Sequence, residues 1–184
     1  MRQPTADFWR GKRVLLTGHT GFKGAWLALL LERLGAEVTG FSLAPEPGPS
    51  AFVALRPAIA SRIGDLRDMA AVQAAVQAAR PEIVLHLAAQ ALVGRGYRDP
   101  EGTFASNVTG TINLMQALRG AGARAALMIT SDKVYRNDNQ GRAFREDDPL
   151  GGHDPYSASK AACEIAVASW RASFGAEIGT IATA

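Results

Sequence analysis

The sequence predicts an α/β chain built on a doubly wound parallel sheet, and three observations carry that expectation. Short apolar runs alternate with stretches of helical periodicity along the chain. The first run, Val14-Leu15-Leu16, leads through glycines spaced Gly18-x-x-Gly21-x-x-Gly24 into the apolar stretch Trp26–Leu31, which is the order strand, tight turn, helix. The stretch Pro81–Gln90 reads as an apolar fourth strand, as a central parallel strand buried on both faces requires.

Each remaining element follows from its own residues. Glu37–Phe41 is a second strand, followed by the breaker-rich loop Ala44–Ser50. Ser61–Gly64 is a short third strand, and Asp68 is placed to cap a helix over Met69–Ala79, in which Met69, Val72 and Val76 form one apolar stripe. Asp99-Pro100 opens a long helix to about Gly120, with Asn107 in its middle. Ala125–Thr130 is the fifth strand and carries Ser131, Asp132 and Lys133 at its carboxyl end. Asp154-Pro155 opens a helix from Tyr156 to about Phe174, and a sixth strand begins over Glu177–Ala182.

The glycine turn has the order a phosphate needs. Gly18 permits the bend, Gly21 lets a pyrophosphate approach the backbone, and Gly24 lets the helix pack closely on the strand. The unpaired N–H groups and positive dipole end of the helix then face the phosphates. A glycine-rich turn without a ligand is the plain alternative. His19 and Lys23 are placed to touch phosphate or ribose, although His19 reads equally well as a satisfied loop residue. Asp65 sits at a strand end, where it either accepts from an adenine amine or forms a turn. Ala88 and Ala89 are small enough for a cofactor to lie against the backbone.

Composition removes several classes. A chain of 184 residues with 47% hydrophobic and 20% charged residues suits one domain, 1–184, with a sizeable core. The longest apolar stretch, Ala25–Leu31, is too short to cross a bilayer. Residues 1–12 contain no continuous apolar region, so no secretory signal is visible and a cytoplasmic location is expected. The net charge of +3 comes from scattered Lys and Arg, which argues against a nucleic-acid surface. Cys163 is the only cysteine, so no internal disulfide and no metal cluster are expected, and it reads as a packed helical thiol.

Tyr156 and Lys160 lie four residues apart, hence on one helix face. An ordinary phenol is a poor base near neutrality, but a fixed positive charge nearby favours the phenolate. Such a Tyr can take the proton of an alcohol while a hydride leaves for a nicotinamide. Ser131 is placed to hydrogen-bond the same oxygen. A chance meeting of Tyr and Lys on an exposed helix is the alternative.

Thr17-Gly-x-x-Gly-x-x-Gly24, Leu87-Ala-Ala89, Asn107, Ser131 and Tyr156-x-x-x-Lys160 together resemble the extended short-chain dehydrogenase/reductase family over essentially the whole chain. Within it, Gly18-His-Thr-Gly-Phe-Lys-Gly24, Thr130-Ser-Asp-Lys-Val-Tyr135 and Gly151–Lys160 are similar to the CDP-glucose 4,6-dehydratase branch. The resemblance implies a Rossmann-type domain with bound NAD, held by Gly18, His19, Thr20, Gly21, Phe22, Lys23, Gly24, Asp65, Leu66, Leu87, Ala88, Ala89, Gln90, Asn107, Thr130, Tyr156 and Lys160. It also implies CDP-glucose as substrate and Ser131, Asp132, Lys133, Tyr156 and Lys160 as the catalytic set. Asp132 would protonate the hydroxyl leaving carbon 6, and Lys133 stands where related dehydratases carry a Glu as base for carbon 5. A turn-capping Asp132 and a solvated Lys133 are the plain alternatives.

A homodimer through the helices bearing Asn107 and Tyr156 is likewise implied. The family continues past the sixth strand into a substrate domain, so the resemblance implies that this domain is absent and that turnover is poor. A sugar-nucleotide epimerase and a non-catalytic NAD-binding module are the competing readings. Gly94-Arg-Gly96 departs from a stretch that is basic and bulky in relatives.

The end of the second strand carries Ser42 and Leu43 where an acidic ribose ligand is expected, and no Arg or Lys lies between Gly40 and Leu55 to receive a 2′-phosphate. NAD is therefore expected to bind more tightly than NADP. Titration calorimetry with both cofactors checks this, and tighter NADP binding would overturn it.

Overall fold

The computed structural model describes residues 5–139 and 141–184; residues 1–4 of the expected domain lie outside the described residues. Six parallel strands form one sheet: β1 (Arg13–Thr17), β2 (Glu37–Ser42), β3 (Ala60–Ile63), β4 (Ile83–His86), β5 (Ala125–Met128) and β6 (Thr180–Thr183). Their order, β3-β2-β1-β4-β5-β6, reverses direction between β1 and β4, where a doubly wound sheet opens its ligand crevice. The helices are α1 (Ala6–Trp9), α2 (Phe22–Arg33), α3 (Ala51–Leu55), α4 (Met69–Ala79), α5 (Val93–Arg98), α6 (Pro100–Phe104), α7 (Gly110–Leu118) and α8 (Pro155–Ile178). No helix among the described residues is long and apolar enough to cross a membrane.

The alternation of β1 divides the core. Val14 and Leu16 pack with Ala28 and Leu31 of α2 on one face, whereas Leu15 joins Val72, Val76, Leu114, Met115 and Val167 of α4, α7 and α8 on the other. Each fully buried Leu or Val stabilises the fold by roughly 1.5–3 kcal/mol. Asp68 caps α4 by accepting from the N–H groups of Ala70 and Ala71, and Asp154 caps α8 through Ser157.

Several boundaries differ from expectation, each for a non-local reason. The long helix expected from Asp99 to Gly120 is α6, a π-turn over Ala105–Thr109, and α7. The π-turn carries Asn107, whose side chain reaches both the end of β4 and α8. Helix α8 runs past Phe174 to the buried Ile178, because Arg119 stacks on Phe174 and pairs with Glu177. The last strand therefore starts at Thr180 rather than Glu177. Helices α1, α3 and α5 are too short to show periodicity.

The fourth strand is shorter than its apolar run and ends in a buried polar residue. His86 places Nδ1 at 2.7 Å from Thr17 Oγ1 and Nε2 at 3.0 Å from Thr111 Oγ1. Burial, with the charge of Lys160 adding to it, pushes its pKa down from 6.5 to about 3. A histidine that folds neutral contributes stability that is complete above the unfolded pKa and is lost as pH falls toward the folded one. Moving from neutral pH to about pH 5 should cost about 2 kcal/mol through His86 alone. Urea unfolding at both pH values, compared with His86→Gln, checks this; an identical pH slope in the two proteins would contradict it.

Gly24 carries a second expectation. A Cβ there would overlap the Gly18 carbonyl. Gly24→Ala should cost about 1–3 kcal/mol of overpacking strain, seen as a Tm lowered by several degrees. An unchanged Tm would show that the turn relaxes freely.

Candidate functional site

The crevice opens where β1 runs into α2 beside the end of β4. Gly18 has φ +75°, and a Cβ on it would come within 2.7 Å of Ala88 N, so this turn approaches the β4 end as closely as backbone allows. Gly21 is the N-cap of α2 and supplies no capping side chain. The N–H groups of the first helical turn are thus left for an external acceptor. Gly21, Phe22 and Lys23 are exposed around that turn, whereas Gly24 is buried.

The neighbouring residues behave differently. His19 is fully buried, donates to or accepts from Ser61 Oγ at 2.7 Å through Nε2, and packs edge-on against Phe52. Any side chain at Gly40 would overlap its ring. Burial lowers its pKa, with the Phe41 backbone acting in the opposite sense. His19 is therefore an inward strut between the turn, β3 and α3, bonded through Nε2 while its buried Nδ1 has no hydrogen-bond partner among the described residues. Thr20 ties the turn to the end of β2 through Ser42 Oγ at 2.8 Å and the Leu43 carbonyl at 2.9 Å. Asp65 pairs with the Arg67 guanidinium at 2.6 Å and accepts the Arg67 N–H, which holds its carboxyl below the usual range. This is the turn-forming geometry. Leu66 buries its side chain in the core and gives its carbonyl to Asn113.

Beyond β4, Leu87, Ala88 and Ala89 are half-buried and pass under the glycine turn. Gln90 and Asn107 bind each other. The Gln90 N–H donates to Asn107 Oδ1 at 2.8 Å, and Asn107 Nδ2 donates to the Gln90 carbonyl at 3.1 Å and to Ser159 Oγ at 2.8 Å. The Asn107 side chain is thus fully engaged by protein groups and moors α8 to the β4 end.

Tyr156 and Lys160 lie together on the first turns of α8, both buried. Lys160 Nζ donates to the Ile129 carbonyl at 3.0 Å, which fixes its charge beneath the end of β5. Burial lowers its pKa, and Cys163 and Glu164 act against that shift. Thr130 is bonded to Glu164 and Ala184. Ser131 caps a short 3-10 turn over Asp132–Val134: its hydroxyl accepts the Lys133 N–H at 3.2 Å and donates to the Asp132 carboxylate at 3.1 Å. That turn packs on α8. Asp132 and Lys133 are exposed and line a cleft of ≈ 280 Å³ with Tyr135, Phe144, His153 and Asp154.

Two glycines outside the expected site residues shape this rim. A Cβ on Gly96 would reach 3.2 Å from Tyr156 N, and one on Gly152 would overlap Ser157. Both let α5 and the loop before α8 lie flush on the Tyr156 turn. The pairs Gly94-x-Gly96 and Gly151-Gly152 are the signal that the sequence offers for them. A phenol and a fixed ammonium at the head of α8, with a hydroxyl and a carboxylate–amine pair on the turn packed against that helix, suit oxidation of an alcohol carbon coupled to proton transfer.

The NAD dependent epimerase/dehydratase family matches residues 14–182. The CDP-glucose 4,6-dehydratase of Salmonella typhimurium is 44% identical over 171 residues, covering 91% of this chain and 48% of that protein. The dTDP-glucose 4,6-dehydratase of Mycolicibacterium smegmatis is 34% identical, covering 89% and 50%. The chain thus spans about half the length of the curated relatives it matches. The UDP-glucose 4-epimerase of Thermus thermophilus, solved with NAD, superposes with a TM-score of 0.81 at 30% identity, covering 93% of this chain and 53% of that one. NAD fits the residues present: the uncapped start of α2 and the side-chain-free surface at Gly21 leave the room and the donors a pyrophosphate needs. With residues 14–182 matched, the chain belongs to the NAD-dependent epimerase/dehydratase family.

Proposed function

We propose that the protein acts in the cytoplasm as a CDP-glucose 4,6-dehydratase, converting CDP-glucose to CDP-4-keto-6-deoxyglucose. The observation that carries this reading is the Asp132–Lys133 pair on the cleft rim, immediately after Ser131 and packed on the Tyr156 helix. A simple epimerase needs no acid and no second base at this place. The 44% identity to a protein named for this reaction supports the choice of nucleotide.

NAD, held at the glycine turn Gly18–Gly24 and the uncapped start of α2, would supply hydride acceptance from carbon 4 and hydride donation to carbon 6. The remaining work falls to side chains. Tyr156 takes the proton of the carbon 4 hydroxyl, with Lys160 one turn along the same helix and fixed on the Ile129 carbonyl. The ketone formed there acidifies the hydrogen on carbon 5. Lys133 in its neutral form takes that proton, Asp132 in its protonated form delivers one to the hydroxyl departing from carbon 6 as water, and the Lys133 ammonium gives a proton back to carbon 5 when hydride adds to carbon 6 of the resulting C5=C6 double bond. Ser131 is turned toward Asp132 and the Lys133 N–H, so it orients the pair that eliminates water.

The reading includes a homodimer through α6, α7 and α8, supported by the exposure of Phe104 and Ile165 on them. A dimeric mass by light scattering at micromolar concentration is expected, and a monomer would overturn it.

The division of labour is separable. Tyr156→Phe should lower NADH formation by about 100-fold or more, since the general base is lost. Asp132→Asn should let NADH form and accumulate without loss of water. Lys133→Met should preserve oxidation while slowing exchange of the carbon 5 hydrogen with deuterated water. Exchange at the wild-type rate in Lys133→Met would remove Lys133 from the mechanism.

A further inference from the structure

We infer that His86, held as its neutral Nε2–H tautomer, is a positioning residue through which the strand under the glycine turn sets the placement of the Tyr156–Lys160 turn. The inference rests on the reading of Tyr156 and Lys160 as reacting groups given above. Its starting point is a count of donors and acceptors in a buried chain of hydrogen bonds.

The Asn107 carbonyl can only accept, so Thr111 Oγ1, 2.6 Å away, gives its single proton to it. Thr111 Oγ1 then offers only lone pairs to His86 Nε2 at 3.0 Å, and Nε2 must carry a hydrogen. On the other side the Ala88 N–H donates to Thr17 Oγ1 at 3.2 Å. The Thr17 proton is directed at His86 Nδ1, 2.7 Å away, so Nδ1 is bare. Every donor has an acceptor, and the bonds run in one direction from Ala88, behind Gly18, to Asn107 in the π-turn. A second proton on the ring would face the Thr17 hydroxyl proton in a buried site that also feels the Lys160 charge.

Two strings leave Asn107 for α8. Its carbonyl accepts the Cys163 thiol at 3.1 Å, and its amide donates to Ser159 Oγ, which in turn donates to the Tyr156 carbonyl at 2.7 Å. Residues 159 and 163 flank Lys160, and the Ser159 string ends on Tyr156 itself. Reversing the tautomer would turn Thr111 away from the Asn107 carbonyl and release one of the bonds that fix this turn. His86 acts through these groups and bonds to no catalytic side chain.

Nitrogen NMR on the labelled protein tests this, with the His86 signals assigned by their loss in His86→Gln. A protonated Nε2 and a bare Nδ1 are expected, unchanged between about pH 8 and about pH 5, where a free imidazole titrates. An Nδ1–H ring, or titration near the ordinary value, would overturn the inference. Thr111→Val removes the hydroxyl at nearly equal volume, and Thr111→Ser keeps it. The Val variant should mix the two tautomers and lower kcat about tenfold with KM for the sugar nucleotide within about twofold, and the Ser variant should restore both. Wild-type tautomer and turnover in Thr111→Val would overturn the inference. Should Thr111→Val not fold, Thr17→Val breaks the other end of the chain and must likewise mix the tautomers. Absent turnover in the wild type would overturn the proposed function, whereas a wrong tautomer would overturn this one.

Discussion

The close approach of the glycine turn to the end of β4 is the constraint on which the rest depends. Gly18 sits where a single methyl would meet Ala88 N, and Gly24 sits where one would overlap Gly18 itself. Backbone is thus packed on backbone across the point where the sheet reverses its strand order. That contact brings the start of α2 over the crevice and places Thr17 beside His86. From His86 the buried polar chain reaches α7 and α8, so the glycine turn and the Tyr156 turn share one hydrogen-bonded frame. Low dielectric makes each of these bonds costly to leave unmade, which is why the frame holds one arrangement.

The crevice divides its residues into those that build and those that remain available. Asn107, Gln90 and Thr20, and His19 through Nε2 alone, are bonded to protein partners, tying β4 to α8 and the glycine turn to β2 and β3. Asp132, Lys133, Phe22 and Lys23 stay exposed around the opening. Tyr156 and Lys160 lie between these groups, buried yet at the head of a helix that borders the cleft. In the proposed reading, the groups that need fixed geometry sit on the buried frame and those that would meet a substrate sit at the rim.

Much of this was legible in the sequence wherever the signal is local. The strand-turn-helix of Val14–Leu31, the capping by Asp68 and Asp154, and the four-residue spacing of Tyr156 and Lys160 all depend on neighbours within a turn or two. The fate of His19 did not, because Gly40, Phe52 and Ser61 decide it from other elements. The π-turn at Asn107 lies inside a helix that runs on through it as its local pattern suggests, and its side chain bonds to Gln90 and Ser159 on other elements. Gly96 and Gly152 likewise acquire meaning only once α8 lies against them. Charge is a similar case: Asp65 looks free in the sequence, and Arg67 occupies it.

The most direct test of the proposed chemistry follows one hydrogen. CDP-glucose carrying deuterium on carbon 4 is incubated with the protein and NAD, and the product is weighed by mass spectrometry. A product lighter by one water that retains the deuterium, now on carbon 6, is expected from oxidation, elimination and hydride return within a single site. A product of unchanged mass, or one that has lost water together with the deuterium, would contradict it.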